Sequence, residues 1–255
     1  GHGTIETSRS EQEIMSCVDE NGRLCVQPGL NTLSQAIKEA KENSIGSLYL
    51  LDGVHNEEGK RVVIDFALEV IGQNKDKVKI RAGLMIKGKY EEDVFLSNCT
   101  VTGAKGNGVL AHGAAMHLKN VCVEKSGGFG VGVSSTTRNR MTDCNVNNNE
   151  RSGVYVEDGG SLTIDGSATM IHHNVINLYQ KFYGLHTNGS SSSIHLESLT
   201  KELISTNNGG GRNYGGDGTI KTIEMENEDT DTTTEERKEN TTSPGETKTY
   251  SVSSS

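Results

Sequence analysis

His117, Arg138, Arg140, Asp165, His195 and Glu197 carry the side chains best suited to chemistry on a polar ligand. They stand at alternate positions of short apolar-polar segments, so the period of two that governs a strand puts them on its outward side. Laid over one another, the segments give two outward columns. One runs Ala115, Arg138, Thr163 and His195; its neighbour runs His117, Arg140, Asp165 and Glu197. Met116, Asn139, Ile164 and Leu196 then point inward. If each segment belongs to one coil of a stack, the second column lines one face within about 15 Å. An arginine flanked by carboxylates and histidines suits a polyuronate ligand. The guanidinium would hold a sugar carboxylate, and the acids would bind Ca2+ or transfer protons. The plainer reading is a solvated salt-bridge ladder, because the outward columns of any such stack are polar.

A second set is aromatic. The outward column of a neighbouring strand reads Leu110, Gly132, Tyr155 and His186, and residues 175–183 form an insertion that adds Tyr179, Phe182 and Tyr183. Such rings would stack on a sugar or seat a partner's side chain; alternatively they pin the insertion to the coil beneath it. The absence of Trp counts against tight carbohydrate binding. His172-His173, with His186, invites a metal reading. Consecutive residues of a strand point to opposite faces, and no Cys or acidic partner stands at ligand spacing, so no metal is expected.

The elements that position these groups show in a repeat. Asn98-Cys99-Thr100-Val101, Asn120-Val121-Cys122-Val123 and Asp143-Cys144-Asn145-Val146 superpose at spacings of 22 and 23 residues. Each is followed by a polar turn and a glycine-led apolar strand: Gly108-Val109-Leu110-Ala111, Gly130-Val131-Gly132-Val133, Gly153-Val154-Tyr155-Val156. A third strand closes each unit, at Ala115–Leu118, Arg138–Met141 and Thr163–Gly166. Self-similarity at this period denotes a repeat architecture. Segments this short, broken by Gly and Asn, are too short for helices. Stacked as coils, each pairs with its counterpart above and below at about 4.8 Å, which is a parallel β-helix.

The triple Val-x-Val rungs and polar turns resemble the right-handed parallel β-helix of the pectin-lyase-like superfamily over residues 28–223. Its short-repeat members include polysaccharide-acting enzymes and non-catalytic interaction proteins such as some F-box proteins. The resemblance therefore implies an all-β, right-handed, single-stranded β-helix solenoid and leaves the function open. Several features of the family's enzymes are missing. Its hydrolases use an adjacent Asp-Asp pair, which this chain lacks. Gly1-His2-Gly3 is similar to their Gly-His-Gly tripeptide but precedes the coils, and Arg138-Asn139-Arg140 only loosely matches their Arg-x-Lys. Lyase sites cluster carboxylates for calcium, whereas Asp165 and Glu197 stand nearly alone.

A solenoid grows along one axis, so 255 residues fit one long domain. With 31 Gly, 2 Pro and 32% hydrophobic residues, the chain suits many tight turns around a thin core. Its net charge of −9 and the lack of a basic tract argue against nucleic acid and anionic membranes. No apolar run approaches the ~20 residues of a membrane span. Five cysteines cannot all pair internally. Cys99 and Cys144 fall inward with Val121 between them, at about 9.6 Å from the strand spacing, beyond disulfide reach. Cys122 falls outward. Reduced cysteines and no signal-peptide core point toward an intracellular setting.

Residues 1–27 read as a polar arm carrying Cys17 and Cys25. Thr32-Leu33-Ser34-Gln35 has the pattern of a capping box, and Leu33, Ala36, Ile37 and Ala40 follow at helical spacing. A short helix over 32–43 would plug one end of the solenoid, which otherwise exposes strand edges. Asn147–Asn149, His172–Asn174 and Asn207-Asn208 share a turn position where stacked amides would satisfy carbonyls. The β-helix domain is expected over 28–226. An acidic, Ser/Thr-rich tail over 227–255 buries too little apolar surface to fold alone.

The expectation is a non-catalytic binding or scaffold module that presents a polar face and an aromatic loop to a protein or polysaccharide partner. No cofactor is expected; Ca2+ belongs only to the alternative of a polysaccharide lyase, hydrolase or epimerase. A self-assembling structural subunit is the third reading.

Overall fold

A computed structural model describes residues 17–176, 181–209 and 212–223. The chain divides into two units, 1–225 and 226–255, and every described residue lies in the first. The expected tail, Gly1-His2-Gly3 and Tyr179 lie outside the described residues.

The described chain is a parallel β-solenoid. One sheet runs, in spatial order, β1 (Cys17–Val18), β2 (Leu24–Val26), β4 (Ser47–Leu50), β6 (Leu68–Gly72), β8 (Val94–Ser97), β11 (Met116–Lys119), β14 (Asn139–Thr142), β17 (Ser161–Asp165), β20 (Ser193–Glu197) and β23 (Thr219–Ile223). We call it the first sheet. The second runs β21 (Ser205–Thr206), β18 (Met170–His172), β15 (Asn145–Asn147), β12 (Cys122–Glu124), β9 (Thr100–Thr102), β7 (Val78–Ile86), β10 (Val109–His112), β13 (Val131–Ser134), β16 (Val154–Glu157), β19 (Leu185–Thr187) and β22 (Tyr214–Gly216). β3 (Gly29–Leu30) and β5 (Gly53–Ile64) pair with each other, and β5 pairs with β7. β7 joins two ranks of strands: its Lys79-Ile80 end pairs with β9 and its Leu84–Ile86 end with β10. The second sheet thus supplies two ranks and the first sheet a third.

The repeat lies in the expected register. Val101, Val123, Val146 and Ile171 pair in sequence down one column, and all are fully buried, as are Cys99, Val121 and Cys144. All five cysteines are free thiols. Burial pushes the Cys144 thiol up to about 11 and Cys99 further still, so both behave as small hydrophobes. The recurrence of Asn98, Asn120 and Asp143 has a backbone cause: each takes φ 53° at the corner between the first sheet and the next strand. Asn and Asp tolerate that left-handed conformation better than other non-glycine residues.

The third strand needs a correction. Arg140 pairs with Thr163, not Asp165, and Thr142 pairs with Asp165. The inward columns are accordingly Met116, Asn139, Leu162, Ile194 and Leu118, Met141, Ile164, Leu196. Asn139 fixes this register from inside the core. Its Oδ1 accepts from the Met116 N–H at 3.0 Å, and its Nδ2 donates to the Thr136 and Ser161 carbonyls at 3.0 Å each. The slip is of two residues, so each side chain of β17 keeps its face. Ala115, expected outward, is buried.

The buried amides form a ladder along the solenoid. Asn149 Nδ2 donates to the Val123 carbonyl, Asn174 Nδ2 to Val146 and Asn208 Nδ2 to Ile171, at 2.9–3.2 Å. Each Oδ1 of Asn149, Asn174 and Asn208 accepts the backbone N–H of the preceding coil's ladder residue. The glycines that open β13, β16 and β19 face these amides, and a Cβ at Gly130, Gly153 or Gly184 would come within 2.3–2.6 Å of the Asn Nδ2.

At the N-terminal end α1 (Thr32–Glu42) buries Leu33, Ala36, Ile37 and Ala40 against the core. Its cap differs from the expected box. Asn31 is the N-cap, at φ 58°, and its side chain makes no cap bond. Glu57 of β5 supplies the acceptor instead: its Oε1 takes the Leu33 and Ser34 N–H groups at 3.1 Å each. β2 joins β4 in parallel through Leu24↔Leu48, so the coil stack takes up the chain before residue 28. α2 (Lys201–Ile204), with Thr200 capping Leu203, precedes the last coil.

Candidate functional site

The outward side of the first sheet carries two columns in continuous register. One runs Glu69, Phe95, His117, Arg140, Thr163, His195 and Lys221. Its neighbour runs Ile71, Ser97, Lys119, Thr142 and Asp165. Glu69, Phe95, His117, Lys119, Arg140 and Asp165 line a groove of about 650 Å³ over these strands. That volume lies within the usual range for small-ligand clefts.

Phe95 is 47% exposed in the groove. Its ring lies parallel to His117, with centroids 4.4 Å apart and planes at 13°. His117 is held from the side: its Nε2 is 3.1 Å from Asp93 Oδ2. Asp93 in turn receives Arg138, whose Nη1 and Nη2 reach the two carboxylate oxygens at 3.1 and 2.7 Å. Arg138 also donates to the Tyr90 carbonyl and lies over the Tyr90 ring at 4.2 Å. A chain of polar contacts therefore orients the one exposed apolar ring of the groove.

Arg140 is held on its other side. It reaches diagonally across the register to Asp165 Oδ2 at 3.0 Å and to Glu197, whose Oε1 accepts at 3.1 Å and whose Oε2 bonds Nη2 more closely. The Glu197 carboxylate, followed by Asp165, raises the guanidinium above its already high range. Both acids are thus engaged by one cation. His195 bonds Ser193 Oγ at 2.9 Å, and burial together with Lys221 lowers its pKa.

The aromatic set lies elsewhere, on the β13–β16–β19 rank of the second sheet. Tyr155 stacks on Phe129 at 4.0 Å, Phe182 packs edge-on to Phe129 at 5.7 Å, and His186 meets the edges of Tyr155 and Tyr183 at 4.9 and 5.2 Å. Phe182 is 7% exposed. Ser152 Oγ contacts His186 Nδ1 at 3.2 Å and accepts the Tyr183 N–H at 3.3 Å. Burial lowers His186 to about 4, and burial with Glu157 raises Tyr155 to about 12. These rings chiefly pack against one another and tie residues 182–186 to the coil.

The expected residues therefore separate. His117, Arg138, Arg140, Asp165, His195 and Glu197 share the first sheet, although Arg138 stands in the turn before β14, at φ 64°, and turns to Asp93. Tyr155 and His186 stand on the second sheet, with Phe182 and Tyr183 in the loop that leads into β19. His172 and His173 depart from opposed faces: His173 sits in a left-handed turn at φ 54°, and the two Nδ1 atoms meet at 2.6 Å. Among the described residues no three His, Cys, Asp or Glu side chains converge as a metal set. Sequence reasoning missed Phe95, Asp93, Tyr90, Lys119 and Glu69. The one signal for Phe95 was its place between the aliphatic Val94 and Leu96, which, once both turn inward, turns it outward.

A family model described as the right-handed beta helix region matches residues 51–200. No curated protein and no solved structure matches the chain. The matched stretch takes in the groove from Glu69 to Asp165, Glu197 beside it, and the ladder residues Asn149 and Asn174. With more than half its length so matched and its coils stacked in parallel register, the chain belongs to the right-handed β-helix family.

Proposed function

We propose that this domain is a non-catalytic binding module whose groove on the first sheet takes a neutral saccharide chain. The observation that carries the reading is Phe95, an exposed ring fixed by its stack on His117 and surrounded by hydrogen-bonding side chains. A flat ring with polar groups beside it suits a sugar, which offers an apolar C–H face and a rim of hydroxyls. Strand pairing sets a further pair of outward side chains every ~4.8 Å, so an extended ligand meets new contacts at each coil.

Charge narrows the ligand. Arg140 is already shared by Asp165 and Glu197, and Arg138 is held by Asp93. Neither guanidinium is left open for a sugar carboxylate, and in the groove lining Glu69 offsets the charge of Lys119. A polyuronate is disfavoured on these grounds, and a neutral oligosaccharide is not. Catalysis is disfavoured for a related reason. Glycoside hydrolysis sets two carboxyl groups on either side of the scissile bond, whereas Asp165 and Glu197 are both bound to one guanidinium.

An array of neutral and acidic oligosaccharides, read in parallel with a product assay on polygalacturonate, tests the reading. Retention on neutral oligosaccharides without product formation is the expected result. Retention on uronates alone, or the release of unsaturated or reducing-end products, overturns it.

A further inference from the structure

The hairpin at the N-terminal edge of the first sheet sets two cysteines opposite each other. β1 and β2 are antiparallel, with Cys17↔Cys25 and Val18↔Leu24 as paired residues. Directly opposed residues share a face of the sheet, with Cβ atoms about 4.5–5.5 Å apart. A disulfide asks for about 3.5–4.5 Å between Cβ atoms and 4.4–6.8 Å between Cα atoms. The Cα requirement is met by strand pairing itself, and the Cβ atoms must close by roughly 1 Å. β1 is a two-residue edge strand at the end of the sheet, with Cys17 and Val18 both exposed, so little resists that movement. Both side chains are within reach of reagents, Cys17 being exposed and Cys25 partly so.

The other three cysteines differ. Cys99 and Cys144 are fully buried, and Cys122 is paired with Thr100 and Asn145, not with a thiol. We propose that Cys17 and Cys25 form an oxidisable pair that closes into an intrachain disulfide, a modification site at the outer edge of the first sheet. The oxidant is a small-molecule disulfide such as oxidised glutathione. The Cys17 thiolate attacks one of its sulfurs, forming a protein–glutathione bond and expelling one glutathione thiolate. The Cys25 thiolate then attacks the Cys17 sulfur, breaking that bond and expelling the second. Two protein thiols give up two protons and two electrons, and one small disulfide becomes two thiols. Burial raises the Cys25 thiol, with the neighbouring Cys17 adding to the effect, whereas Arg23 opposes it. The exposed Cys17 is accordingly the attacking residue. The bond would tie the edge strand β1 to β2 and so hold β1 over the edge of β2 that it covers.

The whole chain, folded and fully reduced, is incubated with oxidised glutathione, alkylated in denaturant and digested with trypsin. Cleavage after Arg23 falls between the two cysteines, giving peptides 10–23 and 24–38. The expected result is one species joining these two peptides, separated by reductant, while Cys99, Cys122 and Cys144 are recovered alkylated. The Cys17→Ser variant should yield no joined species and should leave Cys25 either alkylated or as a glutathione adduct. A stable glutathione adduct on Cys17 with Cys25 still a thiol overturns the proposal. So does recovery of both as thiols, or a bond from either to Cys122 or to a second chain.

Discussion

Gly153 and Asn174 occupy complementary space: a Cβ on the glycine would stand 2.6 Å from the Asn174 Nδ2. The amide donates at 2.9 Å to the Val146 carbonyl and, through Oδ1, accepts the Asn149 N–H at 3.2 Å. Gly153→Ala should therefore destabilise by about 1–3 kcal/mol through overpacking. Asn174→Ala should cost as much by leaving buried polar groups unpaired, about 1–3 kcal/mol. The ladder also predicts a gain. Ser126 holds the next rung, and its Oγ is buried without a partner. Ser126→Asn should extend the ladder to the Val101 carbonyl and add about 1 kcal/mol. Denaturant unfolding of the three variants is the measurement; a destabilised Ser126→Asn would show that the rung has no room for the amide.

Glu57 is 3% exposed, yet its carboxylate faces the first turn of α1. Anions are favoured at a helix N-terminus by the exposed N–H groups and the helix dipole. Glu57→Ala should cost about 1–3 kcal/mol, since two N–H groups and the Ser34 hydroxyl lose their acceptor. Glu57→Gln should cost less, because an acceptor oxygen remains. Equal stability of wild type and Glu57→Ala in urea would contradict this account of the cap.

His186 should make the domain acid-sensitive. Its pKa falls to about 4 on folding, chiefly through burial and against the opposing charge of Asp217, from about 6.5 in the unfolded chain. Between these values the unfolded chain binds the additional proton. The contribution of His186 is thus complete above about pH 6.5, falls as pH drops toward about 4 and changes no further below that. His55, His172 and His195 are also lowered, so the test is a difference. Unfolding free energies of wild type and His186→Gln across this window should diverge in slope, the variant being the flatter. Parallel slopes would place the acid sensitivity in the other histidines.

The coils were legible where spacing was regular. Val101, Val123, Val146 and Ile171 stack as the repeat implies because one connection length recurs between left-handed corners at Asn98, Asn120 and Asp143. Asn149, Asn174 and Asn208 were legible as a shared turn position for the same reason. The third strand was misread by two residues because alternation alone cannot distinguish Thr163 from Asp165 as the neighbour of Arg140; both face outward. The salt bridges to Asp165 and Glu197 still form, since an arginine reaches diagonally across a rung. The capping box was misread because Glu57 stands far from α1 in sequence and reaches it only through the solenoid. Phe95 and Asp93 precede the clear repeat, so no column of counterparts marked them. The pairing of Arg138 with Asp93 depends on its left-handed backbone, which the sequence pattern does not encode.

The groove's role rests on the ring of Phe95, so its removal is the most direct test. Calorimetric titration of wild type and Phe95→Ala is made with the neutral oligosaccharide that an array retains most strongly, with thermal melting in parallel. Phe95 is 47% exposed, so the variant should melt close to wild type. Loss of an aromatic stack worth about 0.5–1.5 kcal/mol should weaken binding by up to about tenfold. Undiminished affinity in a folded Phe95→Ala variant would contradict the account and move the binding surface off the first sheet.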